Sequence, residues 1–402
     1  MKKVIYLDNA ATTPVRREVV LAMKPYWSES FGNPGSITKM GVKARNAVEE
    51  SRKSIAECLK ARPQEIIFTS GGTESNNLAI FGLVNNLDRQ GKKISDLHFI
   101  TSNIEHSSVT ECFKELEIRG AKVDYLKVNE KGIVEPRDLR KLIKANTVLV
   151  SVGYANNEIG TIQPIKEIAK EIRHFRKNNH SPKMANEFEN CPLFHTDASQ
   201  AGLYLNLNVQ ELGMDMMTLD AQKIYGPKGV GILFKKSTVE ISPIIFGGGQ
   251  EKGLRSGTEN VPLIVGVSES LKLARKDFEK KAKKIKIIKD YFWQKIQKEI
   301  PEAVLNGDLE NRLPNNLNIS IPDIDSEFTV FCLDEVGIIC STKSACNHED
   351  YGSAIVRALC KSEEIVKSTL RFSLGVEITK KDIDYVVKNL KEIVKNQKLA
   401  SL

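Results

Sequence analysis

The sequence lacks any apolar run long enough to cross a membrane. A transmembrane helix needs about 20 consecutive apolar residues, and the 402-residue chain has no run approaching that length. Its first apolar stretch is also too short for a signal peptide, because Asp8 and Asn9 follow it directly. Hydrophobic residues make up 41% and charged residues 27% of the chain, as in ordinary soluble globular proteins. We therefore expect a cytoplasmic location.

The sequence also lacks cysteines at metal-binding spacing. Its seven cysteines include no CxxC pair, so no zinc site or other metal centre is expected, and in the cytoplasm they should be free thiols. Cys346 stands out because STKSACNHED surrounds it with small, polar and charged residues, which predicts an exposed loop. A lone loop cysteine is more often a bystander than a functional group. Cys346 could instead bind a metal with His348, Glu349 and Asp350, but no second cysteine or histidine pair is near.

Signals for nucleic-acid binding are weak. The net charge is +8, and lysines are concentrated in residues 271–300. Apolar residues recur there at helical spacing, so the lysines are expected to form the opposite, solvated face of a helix. An acidic partner or tRNA is the alternative, but no basic motif interleaved with aromatic residues supports it. Direct nucleic-acid binding is therefore not expected.

Short β-rich runs alternate with segments of helical periodicity. The predicted strands are residues 66–70, 97–102, 123–128, 147–153, 192–197 and 230–234, and the predicted helices are 37–60, 75–90, 107–119, 135–144 and 164–176. This alternation predicts an α/β fold with a mostly parallel, doubly wound sheet. A long helix is predicted from about 261 to 300, followed by a smaller α+β unit. Residues 177–191 are polar and aperiodic, which predicts a surface loop.

Polar side chains follow several predicted strands, at the edge where such sheets bind ligands. The turn GGTES comes after the strand at 66–70, and its backbone N–H groups at a helix start could bind phosphate. It is neither a P-loop nor a dinucleotide-binding fingerprint, because both glycine spacings are missing. Each side chain alone has an ordinary explanation, such as a helix cap for the aspartate. The side chains are His106, Asn156, Asn157, Asp197, Gln200 and Lys223.

Together, these residues are the parts needed to hold pyridoxal phosphate. A lysine can form a Schiff base with the cofactor aldehyde, and an aspartate can pair with the pyridine nitrogen and keep the ring an electron sink. The glycine turn would bind the phosphate, and an imidazole could lie on the ring face and move protons. The combination therefore points to pyridoxal-phosphate chemistry.

Longer motifs occur in a characteristic order along the chain. They are YLDNAATTP, FGNPGS, FTSGGTESNNLAI, EHSSV, NNEIG, HTDASQ, KIYGPKG, GGGQEKGLRSGTEN, LNGDLE, PNNLNIS, KSAC and RFSLG. From about residue 5 to the carboxyl-terminal region, the sequence resembles the cysteine desulfurases of the class V pyridoxal-phosphate enzymes, which have the aminotransferase fold type I. The resemblance implies a homodimer. It also implies a large cofactor-binding domain at 15–260 and a small domain formed by 1–14 and 261–402, which carries the Cys346 loop.

The resemblance also implies roles for individual residues. Lys223 would be the Schiff-base lysine, His106 the acid–base group stacked on the ring, and Cys346 the thiol that accepts sulfur as a persulfide. The implied cofactor-binding residues are Gly72, Thr73, His106, Asn157, Asp197, Gln200, Asp220, Gln222, Lys223 and, from the other subunit, Thr258. The implied substrate-binding residues are Asn33, Asn157 and Arg371, whose planar guanidinium would hold the carboxylate of L-cysteine. The product would be L-alanine, and the sulfur acceptor an iron–sulfur scaffold protein or a tRNA-thiolation enzyme.

The sequence departs from the family pattern just before Lys223. The family usually has a serine and a histidine there that contact phosphate, whereas this chain has Asp220 and Gln222. A carboxylate at Asp220 would repel the phosphate unless it is protonated or turned away. Either a lower cofactor affinity is expected, or the phosphate depends more on GGTES and Thr258. Two alternatives stay open: a weakly active desulfurase-like binding or regulatory partner, and a related enzyme such as a selenocysteine lyase or an aminotransferase. Cys346 favours a desulfurase over an aminotransferase, which needs no loop thiol, but does not separate sulfur from selenium.

Overall fold

A computed structural model describes residues 4–178, 191–343 and 352–400. Within these ranges the strands are β1 (Ile5–Tyr6), β2 (Ile66–Thr69), β3 (His98–Ser102), β4 (Lys122–Leu126), β5 (Thr147–Ser151), β6 (Leu193–Asp197), β7 (Met216–Asp220), β8 (Gly231–Lys235), β9 (Val304–Leu305), β10 (Asn316–Ser320), β11 (Ile338–Ile339) and β12 (Thr369–Ser373). The helices are α1 (Arg17–Met23), α2 (Pro25–Ser28), α3 (Lys39–Leu59), α4 (Gly72–Arg89), α5 (Ser107–Ile118), α6 (Pro136–Leu142), α7 (Ile165–Asn178), α8 (Val209–Leu212), α9 (Val261–Arg275), α10 (Phe278–Glu299), α11 (Ser326–Glu335), α12 (Ala354–Ala358), α13 (Glu363–Lys367) and α14 (Lys380–Ala400).

The predicted α/β fold with a mostly parallel sheet is confirmed. A seven-stranded sheet has the order β2-β8-β7-β6-β5-β3-β4 and contains every strand predicted from the sequence. The strands from β7 to β4 are parallel, whereas β8 runs antiparallel to both of its neighbours. All residues of β3 and β5 are buried, because parallel strands in such folds are covered on both faces.

Alternate residues of one strand enter two apolar clusters on opposite faces of the sheet. Phe99 of β3 packs in the cluster that includes α4 and α5, where its ring meets Phe113 edge-to-face. The next residue, Ile100, belongs to the cluster that includes Ile55 of α3 and Ile168 of α7. This is the side-chain alternation of a β-strand with helices on both sides, and it fixes which face of the sheet each side chain occupies.

The prediction of one long helix from about 261 to 300 is wrong. α9 ends at Arg275, and α10 begins at Phe278. Between them, Asp277 has a left-handed backbone conformation with φ 54°, which cannot continue a right-handed helix. α9 packs against α3 and α1, whereas α10 packs against α14.

The amino-terminal segment is attached to the carboxyl-terminal part of the chain. β1 pairs in parallel with β11, and Asp8 forms a bridge to Ser373 at the end of β12. β12 pairs with β10, and β10 pairs with β9, in an antiparallel sheet. The division into domains at 1–14, 15–260 and 261–402 stays a prediction.

Some predictions fall outside the described ranges. Most of the loop predicted at 177–191 lies there, although α7 extends to Asn178. Cys346 and the residues beside it also lie outside the described residues. In the part of the chain that is described, no helix has both the length and the apolar character needed to cross a membrane.

Candidate active site

A cavity of about 940 Å³, including its open mouth, lies at the edge of the sheet where β3, β5, β6 and β7 end. It is lined by residues from distant parts of the sequence. Those predicted as site residues are Gly72, Thr73, His106, Asn157, Asp197, Gln200, Asp220, Gln222, Lys223 and Arg371. The carboxyl ends of parallel strands meet at one edge, which explains why side chains that follow different strands converge.

Lys223 reaches the cavity from a single helical turn that follows β7. The turn spans Ala221–Lys223, and Asp220 caps it by accepting a hydrogen bond at Oδ1 from the Gln222 N–H at 3.2 Å. The Lys223 Nζ donates to the main-chain oxygen of Ala10 at 2.8 Å and to that of Ala11 at 2.6 Å. The amino-terminal segment therefore positions this amine at the cavity wall.

Asp197 is the last residue of β6, and both of its carboxylate oxygens are held. Oδ1 accepts from the Ser199 N–H at 2.9 Å, and Oδ2 accepts from Asn76 Nδ2 at 2.8 Å. Asn76 lies on α4 and is fully buried. Hydrogen bonds to both oxygens keep the carboxylate in one orientation, which suits pairing with a cationic ring nitrogen.

His106 caps the amino-terminal end of α5. Its Nδ1 accepts a hydrogen bond from the Ser108 N–H at 3.2 Å and lies 2.8 Å from Ser108 Oγ. The Ser108 hydroxyl also accepts from Asn76 Nδ2 at 2.8 Å. Residues on α4 and α5 therefore fix the orientation of an imidazole that lines the cavity.

The turn before α4 presents the expected anion-binding N–H group, but a carboxylate already lies against it. Gly71 has a φ of 155°, a conformation open essentially to glycine, and leads into Gly72 at the helix start. Asp220 Oδ2 lies 3.3 Å from the Gly72 nitrogen and 3.1 Å from Gln222 Nε2. These are donors that a bound phosphate would use. Asp220 is only 8% exposed, so its carboxylate belongs to the cavity wall.

Arg371 lies on β12 and is 1% exposed. Its guanidinium pairs with the Asp8 carboxylate at 2.7 Å and donates to the main-chain oxygen of Asn157 at 3.2 Å. The Nε–H has no hydrogen-bond partner among the described residues. A buried donor without a partner costs about 1–3 kcal/mol, and Arg371 also lines the cavity, where its guanidinium is a cation that suits a carboxylate.

Other predicted site residues lie outside this cavity. Thr258 lines a different surface cavity together with Thr69 and Ser70. Asn33 is exposed on the loop between α2 and α3, where its Oδ1 accepts from the Gly35 N–H. Cys346 is not among the described residues, so the roles of these three positions stay predictions.

Glu105 also lines the cavity, although it is not among the residues predicted from the sequence. Both of its carboxylate oxygens accept from the Gly153 N–H at 3.0 Å, and the Ser102 hydroxyl donates to Oε1. Burial raises the pKa of Glu105 to about 7, against the effect of these hydrogen bonds. Its position directly before His106 in the EHSSV motif is the signal that could have identified it.

Comparison with known proteins covers nearly the whole chain. The family model described as aminotransferase class V matches residues 5–386. The chain is 42% identical over 402 residues to the cysteine desulfurase IscS of Dictyoglomus turgidum, covering 100% of this chain and 97% of that protein. A solved NifS-like protein has a TM-score of 0.86 and 33% identity, over 98% of this chain and 100% of that one. The structure of SspA in complex with cysteine has a TM-score of 0.75 and 35% identity, over 93% and 99% respectively.

Proposed function

This chain belongs to the class V aminotransferase family, and we propose that it is a cysteine desulfurase that uses pyridoxal phosphate. It converts L-cysteine to L-alanine and passes the sulfur on as a persulfide of Cys346. Full-length relatives that are cysteine desulfurases support this activity. One structural observation carries the proposal: the lysine, aspartate, histidine and arginine that the reaction needs line a single cavity.

The cavity residues fit pyridoxal phosphate with one exception. A Cβ atom at Gly72 would crowd Ser199 Oγ at 3.2 Å and Asp220 Oδ2 at 3.3 Å, and the absence of a side chain leaves this position open. Its N–H can therefore be reached closely by a ligand. Lys223 and Asp197 supply the amine and the carboxylate that the cofactor ring requires. The exception is the Asp220 carboxylate, which lies against the phosphate donors.

Specific residues would hold the cofactor. Gly72, Thr73 and Gln222 would hold its phosphate, Asp197 its ring nitrogen and Gln200 its ring oxygen, with Lys223 as the point of covalent attachment and Asn157 beside the ring. When bound, the cofactor supplies an electron sink for bond changes at the α-carbon and β-carbon of the substrate.

Different residues of this chain would bind the substrate and transfer protons. Lys223 Nζ would take the proton from the α-carbon of cysteine, and His106 would move protons at its Nε2 atom. Arg371 would hold the substrate carboxylate, exchanging part of its contact with Asp8. The thiolate of Cys346 would attack the substrate sulfur, so that the carbon–sulfur bond breaks and alanine remains.

The persulfide would be delivered to an acceptor protein. An iron–sulfur scaffold protein and a tRNA-thiolation enzyme both take sulfur in this form, which gives the chain a role in cluster assembly or in tRNA thiolation. The reaction needs Cys346 as a thiolate, and a reducing compartment preserves free thiols, so the cytoplasm is the location that suits it.

A homodimer would complete the site. Thr258 lies outside the cavity of its own chain, as expected for a residue that contacts the phosphate bound by the other subunit. Large apolar side chains are exposed at Trp27 (57%), Phe31 (66%) and Phe246 (71%), which a second copy could cover. Sedimentation velocity tests the dimer. Co-expression of Lys223→Ala and Thr258→Ala chains should restore one active site per heterodimer, whereas either variant alone should be impaired.

Mass spectrometry after addition of cysteine tests the activity. The 341–350 peptide should gain one sulfur, and alanine should appear in the solution. Cys346→Ser should lose both, while the matched control Cys360→Ser, at an exposed cysteine, should keep them. Full alanine release by Cys346→Ser would contradict the assigned role of this thiol.

One observation favours a second candidate, a weakly active binding or regulatory partner. The Asp220 carboxylate contacts the Gly72 N–H and the Gln222 amide that the phosphate would use. Protein purified with added pyridoxal phosphate should be yellow, and Lys223→Ala should lose the absorption band of the attached cofactor. A colourless wild-type protein would support the second candidate instead.

A further inference from the structure

We propose that Asn76 and Ser108 form a hydrogen-bonded bridge that positions both His106 and Asp197 and keeps the His106 proton on Nε2. Asn76 lies on α4 and Ser108 lies on α5, so the bridge depends on how these two helices pack. The inference rests on the proposed function, because it assigns positioning residues to two groups that act in that reaction.

The Asn76 side chain gives both of its hydrogens to the site. Nδ2 lies 2.8 Å from Ser108 Oγ and 2.8 Å from Asp197 Oδ2. Its Oδ1 atom is buried and has no hydrogen-bond partner within the described ranges. Turning the amide over would place Oδ1 against the Asp197 carboxylate, where two acceptors would repel each other. The amide therefore has one workable orientation, although that orientation leaves its oxygen unsatisfied.

The hydrogen bonds from Asn76 to His106 run in one direction. The Ser108 hydroxyl accepts from Asn76 and can direct its own hydrogen at His106 Nδ1, 2.8 Å away. The Ser108 main-chain N–H points at the same nitrogen at 3.2 Å. Two donors directed at Nδ1 leave no room for a hydrogen on it, so the neutral ring carries its proton on Nε2.

The bridge determines the protonation of His106 and the orientation of Asp197. His106 starts with a proton to donate at Nε2, and protonating Nδ1 would cost its hydrogen bond from the Ser108 main-chain N–H. Asp197 keeps Oδ2 fixed through Asn76 and Oδ1 fixed through Ser199. A change at Ser108 should therefore disturb His106 alone, whereas a change at Asn76 should disturb both His106 and Asp197.

Solid-state ¹⁵N spectra of protein labelled only at its six histidines can observe the tautomer directly. His106→Gln identifies the signals of that ring. In the wild type, Nδ1 should be unprotonated and Nε2 protonated. Ser108→Ala should move the Nδ1 resonance, Ser108→Thr should restore it because the hydroxyl returns, and the neighbouring Ser107→Ala should leave it unchanged. A hydrogen on Nδ1 in the wild type, or an unmoved resonance in Ser108→Ala, would overturn the proposal.

Kinetics and cofactor absorption separate the two ends of the bridge. Ser108→Ala should lower kcat about 10-fold with little change in the KM for cysteine, a typical loss when a proton-transfer group is misaligned. Asn76→Ala should lower kcat further and also shift the absorption band of the bound cofactor, through Asp197. The matched control is Asn77→Ala, whose amide bonds the Thr73 main-chain oxygen, and it should do neither. An unshifted band in Asn76→Ala would overturn the link to Asp197.

The same experiments distinguish failure of the bridge from failure of the proposed function. If wild-type protein releases no alanine from cysteine, the function fails, while the ¹⁵N spectra still decide the tautomer. If the wild type is active but the His106 Nδ1 resonance is the same in Ser108→Ala as in the wild type, only the bridge is refuted. Urea melts check that each variant is folded, and the Ser108 series decides the outcome if Asn76→Ala is unstable.

Discussion

Replacing Asp220 by serine should strengthen the binding of pyridoxal phosphate. The Asp220 carboxylate lies 3.3 Å from the Gly72 nitrogen and 3.1 Å from Gln222 Nε2, which are donors suited to a phosphate. Serine removes the charge but keeps an oxygen that can accept the Gln222 N–H and so preserve the helical turn before Lys223. The variant therefore tests the charge with little disturbance of the local backbone.

The size of the effect follows from the distances. A phosphate oxygen bonded to the Gly72 N–H would lie about 2.9 Å from that nitrogen. Asp220 Oδ2 lies 3.3 Å from the same nitrogen, so the two oxygens would be within roughly 4 Å of each other. Two unit charges at about 4 Å repel by roughly 4 kcal/mol at an effective dielectric constant of 20, and by about 1 kcal/mol in bulk water. Removal of the carboxylate should therefore lower the Kd for pyridoxal phosphate by roughly 5- to 1000-fold.

Equilibrium dialysis of the apoprotein measures this change, and a second ligand isolates its cause. Pyridoxal lacks the phosphate, so Asp220→Ser should leave its Kd within about twofold. Asp88→Ser makes the same substitution at an exposed position on α4 and should change neither Kd. Equal gains for both ligands would show that the serine acts on the ring or the fold. Unchanged affinity for pyridoxal phosphate would show that the carboxylate turns away when the cofactor binds, and either result would refute the electrostatic reasoning.

Further predictions concern stability. Burial raises the pKa of Glu105 from 4.5 to about 7, so the folded state keeps a proton that the unfolded state has already released, and stability falls as pH rises from about 4.5 to about 7. Relative to Glu105→Gln, the wild type should lose about 2 kcal/mol of unfolding free energy between pH 5 and 8. If urea melts showed the same change of unfolding free energy with pH for both proteins, the burial of Glu105 would be contradicted. Asp8→Ala leaves the buried guanidinium of Arg371 without its ionic partner and should lower the free energy of unfolding by about 3 kcal/mol. A decrease of less than about 1 kcal/mol would mean that another group reaches Arg371. Phe292 is fully buried, so Phe292→Ala should cost about 3–5 kcal/mol in the same assay, whereas Phe328→Ala, at a half-exposed ring, should cost under about 1 kcal/mol.

Patterns along the sequence predicted which residues reach the cavity, but not how they are held. Side chains such as Asp197 and Lys223 follow buried strands, and the ends of parallel strands converge regardless of the details of packing. The contact between Asn76 and Ser108 instead depends on how α4 packs against α5, which no spacing in the sequence encodes. The end of α9 was missed for a similar reason, because apolar periodicity continues through this region, whereas the helix is ended by the extended backbone of Lys276 and the left-handed backbone of Asp277.

The amino-terminal segment contacts both Arg371 and the Lys223 amine. Asp8 pairs with Arg371, and two residues further on the Ala10 carbonyl accepts from both Lys223 and Gln200. The segment is itself fixed to the end of β12, where the Ala10 N–H donates to the Ser373 hydroxyl and the Asn9 N–H donates to the Ser373 carbonyl. A carboxylate that binds Arg371 must compete with Asp8. Its binding should therefore shift Asp8 and the neighbouring residues Ala10 and Ala11, whose carbonyls accept from the Lys223 amine. We therefore expect changes in residues 8–11 to affect both the carboxylate site at Arg371 and the position of the Lys223 side chain.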